Sequence, residues 1–241
     1  MGSTGVRRAI RRVFRPGKAP PPRSGRPLAL VYRGPASIPG CSEAVAGLLK
    51  ASRWGFDVRY TGPREDVPLS AEALAGAAVY AQPGGGDLDR GYRHLKRHRG
   101  MLRDYVAGGG RYLGFCLGGY LAGATPGFAL LPGDTDQYIA TPGATVDDED
   151  DTLVDVRWRG RDRTLFFQDG PCFLLDPENE ATVLATYPNG AVAALVVPYG
   201  AGRVAVVGPH PEATDDWFTD ARLPVRQARD LGLDLVDAVM T

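Results

Sequence analysis

Cysteine and long apolar stretches are both scarce in this sequence of 241 residues. The chain has three cysteines with no pairing pattern and no C-x-x-C spacing, which argues against a disulfide framework and a zinc site. No segment approaches the ~18 apolar residues that a membrane-spanning helix needs, and no G-K-S/T phosphate-binding loop is present. These absences predict a cytoplasmic protein without a cofactor or a membrane partner.

The formal net charge at pH 7 is zero, but the charged residues are unevenly distributed along the chain. Residues 1–27 contain seven Arg, one Lys and no acid, whereas residues 28–241 carry 20 basic and 28 acidic side chains. The leader lacks the apolar stretch of a secretory signal. We therefore expect a disordered basic tail over 1–27 or, alternatively, a segment that contacts an acidic partner. The acidic body does not suggest a nucleic-acid partner, and the absence of a linker-like stretch predicts one domain over 28–241.

Apolar runs alternate with helical patterns in the first half of the chain. The predicted strands span 28–32, 56–60, 77–81 and 111–115, and the predicted helices span 42–52 and 92–106. This alternation predicts an α/β fold with a doubly wound, mainly parallel sheet. In the second half, closely spaced apolar runs predict antiparallel β additions. These later strands span 153–158, 164–167, 182–186, 191–197 and 203–207, and a last helix is predicted over 224–239.

One cysteine lies where a strand should turn sharply into a helix, in the run Gly114-Phe-Cys116-Leu-Gly118-Gly119. Glycines on both sides are typical of a nucleophile elbow, because bulky neighbours would clash at its strained backbone angles. The N-terminus of the helix that follows would favour the thiolate form of Cys116. The alternative for this short pattern is a buried structural cysteine in a Gly-rich turn.

A second pattern, Gly208-Pro-His210-Pro-Glu212, follows a strand predicted over 203–207. Side chains two residues apart in an extended segment point the same way, so Glu212 can orient His210. His210 can then act as general base toward Cys116. Active sites of open α/β sheets lie at the carboxyl ends of the strands, where both patterns fall. Together they predict a Cys-His-Glu catalytic triad of Cys116, His210 and Glu212.

A Gly-rich loop, Pro83-Gly84-Gly85-Gly86-Asp87, follows the strand predicted over 77–81. Its backbone N–H groups face the same edge of the sheet as the elbow. The N–H groups of Gly85 and Leu117 are therefore predicted to form an oxyanion hole, and Gly84 and Gly86 to contact the substrate. A flexible turn is the alternative interpretation of this loop.

Three further features are weaker. Arg33 ends the first predicted strand and could bind a substrate carboxylate, although a surface arginine is an equal interpretation. Asp169 follows an apolar strand and could reach the substrate, but a turn-forming Asp-Gly is favoured. The run Asp147-Asp-Glu-Asp-Asp151 lacks the alternate spacing of a calcium loop, so a solvated loop is favoured and no metal site is predicted.

The order of P-G-G, G-x-C-x-G and H-P-E resembles that of the class I glutamine amidotransferase-like superfamily, whose members share a Cys-His-Glu triad. Further segments resemble the N-terminal domain of fungal-type biotin-protein ligases, which also occurs as free-standing bacterial proteins. These segments are Arg33-Gly-Pro35, Pro39-Gly-Cys41, the elbow run Tyr112–Tyr120 and Gln168-Asp-Gly-Pro-Cys-Phe173. The resemblance implies a flavodoxin-like sheet of the glutamine amidotransferase type. It also implies a separate synthetase-type partner protein that consumes ammonia. No G-R-G-R-type biotin loop occurs, so biotin ligase activity is not expected.

The sequence thus predicts an enzyme, a cysteine hydrolase or acyl transferase of amidotransferase-like type. Its substrate would be a small-molecule carboxamide or related acyl compound, with glutamine favoured by the resemblance, and the reaction would pass through a thioester on Cys116. Two alternatives use the same fold. One is a non-catalytic binding or regulatory module, and the other is a redox-sensing protein that uses the activated thiol.

Overall fold

The computed structural model of the protein describes residues 25–241, so almost all of the predicted basic tail lies outside the described residues. The strands are β1 (Leu28–Tyr32), β2 (Asp57–Thr61), β3 (Val79–Gln82), β4 (Arg111–Phe115), β5 (Gly133–Gln137), β6 (Thr152–Trp158), β7 (Arg161–Phe167), β8 (Pro171–Leu175), β9 (Thr182–Thr186), β10 (Val192–Tyr199) and β11 (Gly202–Val207). The helices are α1 (Cys41–Ala51), α2 (Ala71–Ala75), α3 (Leu88–Leu95), α4 (Arg99–Ala107), α5 (Leu117–Ala122), α6 (Asp215–Asp220) and α7 (Arg229–Met240).

Parallel strands form one half of the sheet, in the order β2-β1-β3-β4-β11. All five residues of β1 are buried, because helices cover both faces of this half. Side chains of α1 and α7 pack on one face, and side chains of α2, α4 and α5 pack on the other. The predicted doubly wound, mainly parallel sheet is confirmed.

Antiparallel strands extend the sheet beyond β11. The order continues β11-β10-β9-β6-β7, and each of these pairs is antiparallel. A ribbon of β5 and β8 branches from β10, where Val192 pairs with Phe173. The indole Nε1 of Trp158 on β6 donates to Asp234 Oδ2 on α7 at 2.8 Å, which ties this antiparallel extension to the helical layer. The predicted antiparallel additions are confirmed.

Some predicted boundaries were wrong. The helix predicted over 92–106 is two helices, α3 and α4, joined by a 3₁₀ turn at Lys96–His98. The last helix begins at Arg229 rather than near 224. Helix α1 begins at Cys41 and is capped by Gly40, whose φ of 94° is a left-handed conformation that glycine adopts readily. Ser42, where the helix was predicted to begin, is buried, and its hydroxyl donates to the carbonyl of Tyr32 at 2.8 Å.

Four elements had no counterpart among the predicted ones: α2, β5, β8 and α6. Strand β5 reads Gly-Asp-Thr-Asp-Gln and contains no apolar residue, so its pairing with β8 cannot be recognised from hydrophobic periodicity. Helices α2 and α6 have five and six residues, too few to show a helical repeat. Among residues 25–241, none of the helices has both the length and the apolar character needed to cross a bilayer.

The carboxyl ends of three neighbouring parallel strands, β3, β4 and β11, bring the candidate site together. Gln82 at the end of β3 pairs with Gly114, and Phe115 at the end of β4 pairs with Val207. The three loops that leave these strands therefore start side by side. Strand β7 reaches the same edge, because Phe166 forms an isolated bridge with His210.

Candidate active site

Cys116 occupies a sharp, strained turn between β4 and α5. Its φ of 47° and ψ of −107° lie in a region that non-glycine residues rarely adopt. Two close approaches explain the flanking glycines. A Cβ on Gly114 would overlap the carbonyl oxygen of Gly118, and a Cβ on Gly118 would overlap that of Gln82. The thiol is mostly buried, at 6% residue exposure, and donates to the carbonyl of Gln168 at 3.7 Å.

His210 and Glu212 form a buried pair in the turn after β11. Nδ1 of His210 lies 2.9 Å from Oε1 of Glu212, and the two residues are 3% and 4% exposed. The backbone N–H of His210 donates to the carbonyl of Phe166 at 2.9 Å, which fixes the turn against β7. Oε2 of Glu212 has no hydrogen-bond partner among residues 25–241.

The electrostatic surroundings of His210 favour its protonated form. Burial lowers the pKa of the imidazole, but the nearby Glu212 carboxylate and Cys116 side chain, with the hydrogen bond to Glu212, outweigh it. The net effect raises the pKa of His210 well above its ordinary value. His210 is thus a proton donor and acceptor placed beside Cys116.

Two aromatic side chains hold the imidazole ring edge-on. The ring centroid of Trp217 lies 5.2 Å from that of His210, and the centroid of Phe166 lies 6.1 Å from it. Phe166 and Trp217 also contact each other at 5.5 Å. This packing and the bond to Glu212 leave His210 little freedom to rotate.

Gly84 lies between the histidine and two thiols. A Cβ on Gly84 would come 2.9 Å from His210 Cε1, 3.3 Å from Cys41 Sγ and 3.7 Å from Cys116 Cβ. The missing side chain therefore leaves the space in which imidazole and thiol approach each other. Cys41, at the start of α1, is a second buried thiol in the site. Burial, with further contributions from Glu212 and Cys116, raises the pKa of Cys41 far above its usual range.

The N–H groups of Gly85 and Leu117 are free to bind an oxyanion. Neither donates to another residue within 25–241, and Leu117 is the first residue of α5, where helical N–H groups have no partner in the helix. The two residues touch, because a Cβ on Gly85 would overlap Cδ2 of Leu117. The two unpaired N–H groups are compatible with the predicted oxyanion hole.

Two cavities meet at Cys116. We call the first the histidine cavity; it has a volume of about 230 Å³ and is bordered by Cys41, Cys116, Phe166, His210 and Trp217. We call the second the carboxylate cavity; it has a volume of about 310 Å³ and is bordered by Asp87, Cys116, Tyr120, Gln137, Glu149 and Asp169. Gly85 and Cys116 border both cavities.

The remaining sequence-predicted residues fall in different places. Asp169 and Gly86 border the carboxylate cavity, and nothing lies within 4 Å of a Cβ on Gly86. Arg33 borders neither cavity, since its guanidinium binds Glu65 through two bonds of 2.8 Å and Glu43 through one of 3.1 Å. That guanidinium also stacks on Tyr60, 3.7 Å from the ring centroid. These contacts agree better with the alternative interpretation of Arg33 as a surface arginine than with a substrate-binding role.

Several residues of the site were not found from the sequence: Cys41 as a thiol of the site, Tyr120, Gln137, Glu149, Phe166 and Trp217. Glu149 belongs to the acidic run that was interpreted as a solvated loop; the run is exposed, but it borders the carboxylate cavity. Tyr120 stands one helical turn after Cys116, which is a signal that could have found it. Within residues 25–241, no group of three or more His, Cys, Asp or Glu side chains is arranged to hold a metal ion.

Comparison with known proteins gives two kinds of similarity. Residues 29–141 match the family model described as biotin-protein ligase, N terminal. The biotin–protein ligase of Schizosaccharomyces pombe is 28% identical over 181 residues, which is 65% of this chain. The chain spans 28% of the length of that ligase.

Solved structures resemble the chain in fold. A crystal structure of glutamine amidotransferase has a TM-score of 0.58 at 17% identity, covering 86% of this chain and 98% of the other. A cytoplasmic protein from Salmonella typhimurium LT2 has a TM-score of 0.51 at 15% identity, covering 88% of this chain and 100% of the other. These similarities establish a glutamine amidotransferase-like fold.

Proposed function

We propose, from the match of residues 29–141 to the biotin-protein ligase N-terminal family model and from the glutamine amidotransferase-like fold, that the protein is a cysteine hydrolase or acyl transferase. Its substrate is a small-molecule carboxamide or related acyl compound. Cys116 is the nucleophile, His210 the general base and acid, and Glu212 the group that orients the imidazole. The observation that carries the proposal is the buried His210–Glu212 pair, at 2.9 Å, beside a strained Cys116.

The proposed reaction begins with attack of the Cys116 thiolate on the carbonyl carbon. A C–S bond forms, and the negative charge moves to the carbonyl oxygen, which the N–H groups of Gly85 and Leu117 bind. The C–N bond then breaks, and the imidazolium of His210 gives its proton to the leaving nitrogen. The products of this half-reaction are an amine or ammonia and a thioester on Cys116.

The second half-reaction releases the acyl group. Neutral His210 takes a proton from water or from another acceptor as that nucleophile attacks the thioester carbon. The C–S bond breaks, the thiolate of Cys116 is restored and His210 is again protonated. General acid–base catalysis contributes about 10²–10⁴-fold to such a reaction, and each oxyanion donor contributes about 10²–10³-fold.

The proposal extends to the surroundings of the enzyme. If ammonia is the product, a separate synthetase-type partner protein would use it, and the reduced thiol would require a reducing compartment such as the cytoplasm. The domain that carries this activity would span residues 28–241. These statements rest on the chemistry of the site and on the family resemblance.

The test is acylation and turnover at Cys116. The full chain is incubated with a panel of primary carboxamides that includes glutamine, and ammonia release and intact mass are followed together. We expect ammonia from at least one carboxamide and, on rapid quenching, a thioester adduct that peptide mapping assigns to Cys116. In parallel, iodoacetamide should alkylate Cys116 at neutral pH faster than it alkylates a free thiol.

Matched variants distinguish the loss of a triad residue from a general loss of structure. His210→Ala should reduce the alkylation rate and abolish turnover, whereas His98→Ala, a change at a histidine outside the site, should leave both unchanged. Full turnover by Cys116→Ser would contradict the proposed mechanism. A thiol that is inert to iodoacetamide in the folded protein would favour the non-catalytic binding module instead.

A second candidate function is redox sensing, and the position of Cys41 favours it. Cys41 Sγ and Cys116 Cβ both lie close to Gly84, 3.3 Å and 3.7 Å from the position that a Cβ on this residue would occupy. Peroxide would convert the Cys116 thiol to a sulfenic acid and release water. Attack by the Cys41 thiol would then form a disulfide and release a second water. Peroxide treatment should lower the intact mass by two hydrogens in the native chain and leave Cys41→Ser as a sulfenic acid. A native chain that shows only over-oxidation of Cys116 would exclude this candidate.

A further inference from the structure

The direction in which a substrate binds follows from the two cavities at Cys116, if the proposed function holds. His210 must give its proton to the leaving nitrogen, so the leaving group has to lie in the histidine cavity. Of the two proposed oxyanion donors, Gly85 borders both cavities and Leu117 borders the carboxylate cavity. The remaining substituent of the carbonyl carbon, which is the acyl part of the substrate, then occupies the carboxylate cavity.

Carboxylates border both cavities: Asp151 and Asp220 border the histidine cavity next to His210, and three others border the carboxylate cavity. The three are Asp87, Glu149 and Asp169, and among the described residues that border the carboxylate cavity there is no Lys, Arg or His. Asp87 is occupied as the N-cap of α3, where it accepts from the N–H of Arg90 at 2.7 Å. Glu149 and Asp169 thus provide the charge available to a ligand.

Without a ligand, both the backbone and the carboxylate of Asp169 are in unfavourable surroundings. Its φ of 43° lies in the left-handed region, which residues other than glycine rarely adopt. Burial raises the pKa of the Asp169 carboxyl, and the charge of Glu149 raises it further, while two hydrogen bonds from Gln137 Nε2, at 3.0 and 3.2 Å, oppose the rise. A cation between the two carboxylates would relieve both the repulsion and the desolvation.

Tyr120 provides an independent sign of a missing ligand. Its side chain borders the carboxylate cavity, the residue is 7% exposed, and its hydroxyl has no hydrogen-bond partner among residues 25–241. A buried hydroxyl without a hydrogen-bond partner destabilises the folded state. A ligand that donates or accepts a hydrogen bond in this cavity would remove that destabilisation.

We propose that the carboxylate cavity binds an ammonium group on the acyl part of the substrate, and that the preferred substrate carries no free carboxylate there. Glu149 and Asp169 would pair with the ammonium, and the Tyr120 hydroxyl would accept one of its N–H groups. A carboxylate in the same place would face two like charges without a basic partner, and Arg33 cannot serve because it is paired with Glu65 and Glu43. The protein would thus act on amino-amides in preference to free glutamine.

The experiment measures the charge preference of Cys116 with three thiosulfonate reagents of different charge. Aminoethyl, methyl and sulfonatoethyl methanethiosulfonate are cationic, neutral and anionic. With each, the thiolate displaces methanesulfinate and forms a mixed disulfide. Each rate at Cys116, assigned by peptide mapping, is divided by the rate for a free thiol to remove the intrinsic reactivity of the reagent. We expect a normalised cation-to-anion ratio of at least about tenfold, because the two carboxylates that border the cavity with Cys116 act in opposite directions on the two reagents.

Variants then locate the source of the preference. Asp169→Asn and Glu149→Gln should each lower the ratio by about threefold or more. Asp148→Asn removes a charge from the same exposed loop at a position that does not border the cavity, so it should leave the ratio unchanged. A second readout is ammonia release, which should be faster from 3-aminopropanamide than from propanamide, and slowest from succinamate.

The outcomes separate this inference from the proposed function. Slow reaction of Cys116 with all three reagents, at or below the free-thiol rate, would overturn the proposed function itself. A reactive Cys116 with no charge preference would overturn the inference alone. So would a preference that both variants leave intact. Because the reagent series is measured first on the unmodified chain, a variant that fails to fold does not leave the inference untested.

Discussion

Replacing Gly84 by alanine should reduce the reactivity of Cys116 by displacing His210. The added Cβ would lie 2.9 Å from His210 Cε1, whereas carbon atoms in contact are about 3.5–4.0 Å apart. The ring cannot give way easily, because Glu212 binds its Nδ1 and Phe166 and Trp217 contact its faces and edges. Either the ring or the loop must therefore move by about 0.5–1 Å.

A displacement of this size is large for a catalytic base. A misplacement of about 1 Å can cost about 10²-fold in rate, so we expect Gly84→Ala to lower the Cys116 alkylation rate and any turnover by roughly 10–100-fold. The loss of stability should be modest, about 1–3 kcal/mol for an overpacked site. Alkylation is measured at neutral pH with iodoacetamide and mass detection, and unfolding is followed in urea on the same samples.

Gly86→Ala is the matched control in the same loop, because nothing lies within 4 Å of its Cβ. It should react at the rate of the unmodified protein. The double variant Gly84→Ala with Cys41→Ala removes the 3.3 Å contact with the second thiol but keeps the contact with His210, so it should remain slow. Recovery in the double variant would show that Cys41 caused the loss, and an unchanged rate in Gly84→Ala itself would refute the argument.

Two further predictions concern charged groups. Glu212→Gln removes the interaction that holds the pKa of His210 above its ordinary value, at about 10. A raised histidine pKa stabilises the folded state fully below about pH 6.5, and this stabilisation is lost as pH rises through the folded-state pKa. The loss of Tm caused by Glu212→Gln should therefore be largest, at least about 3 °C, near pH 6 and should shrink toward pH 10; a loss that grows with pH would contradict this. Arg33→Met breaks ion pairs in which the side chain is 40% exposed, so it should cost at most about 1 kcal/mol in urea unfolding. It should leave Cys116 alkylation unchanged, and a marked loss of alkylation would restore Arg33 to the site.

Much of the parallel half of the fold could be read from hydrophobic pattern. Strands β1 and β4 agree with their predicted bounds, because both are short apolar runs between turn signals. The polar strand β5 and the short helices α2 and α6 could not be read in this way. They are held by pairing and packing with segments distant in sequence, which leave no local pattern.

The candidate triad could be predicted because its two patterns are local in the sequence. Gly114, Cys116 and Gly118 have to alternate as they do because the turn brings backbone atoms into contact on both sides of the cysteine. His210 and Glu212 are two residues apart, so their proximity is local as well. The two patterns meet because β4 pairs with β11. From the sequence alone, a parallel sheet predicts only that both strands end at the same edge.

The sequence by itself determined the fold class and the choice of Cys116, His210 and Glu212 as the candidate triad, because short-range patterns of glycine, apolar and polar residues encode both. Only the tertiary structure decided what surrounds them. It placed Cys41 close to Gly84 and Trp217 against His210, and it brought Glu149 and Asp169 to the same cavity, all from segments far apart in the chain. It also paired Arg33 with Glu65, 32 residues away. Such contacts depend on how loops fold over the sheet edge, and no spacing within one segment specifies them.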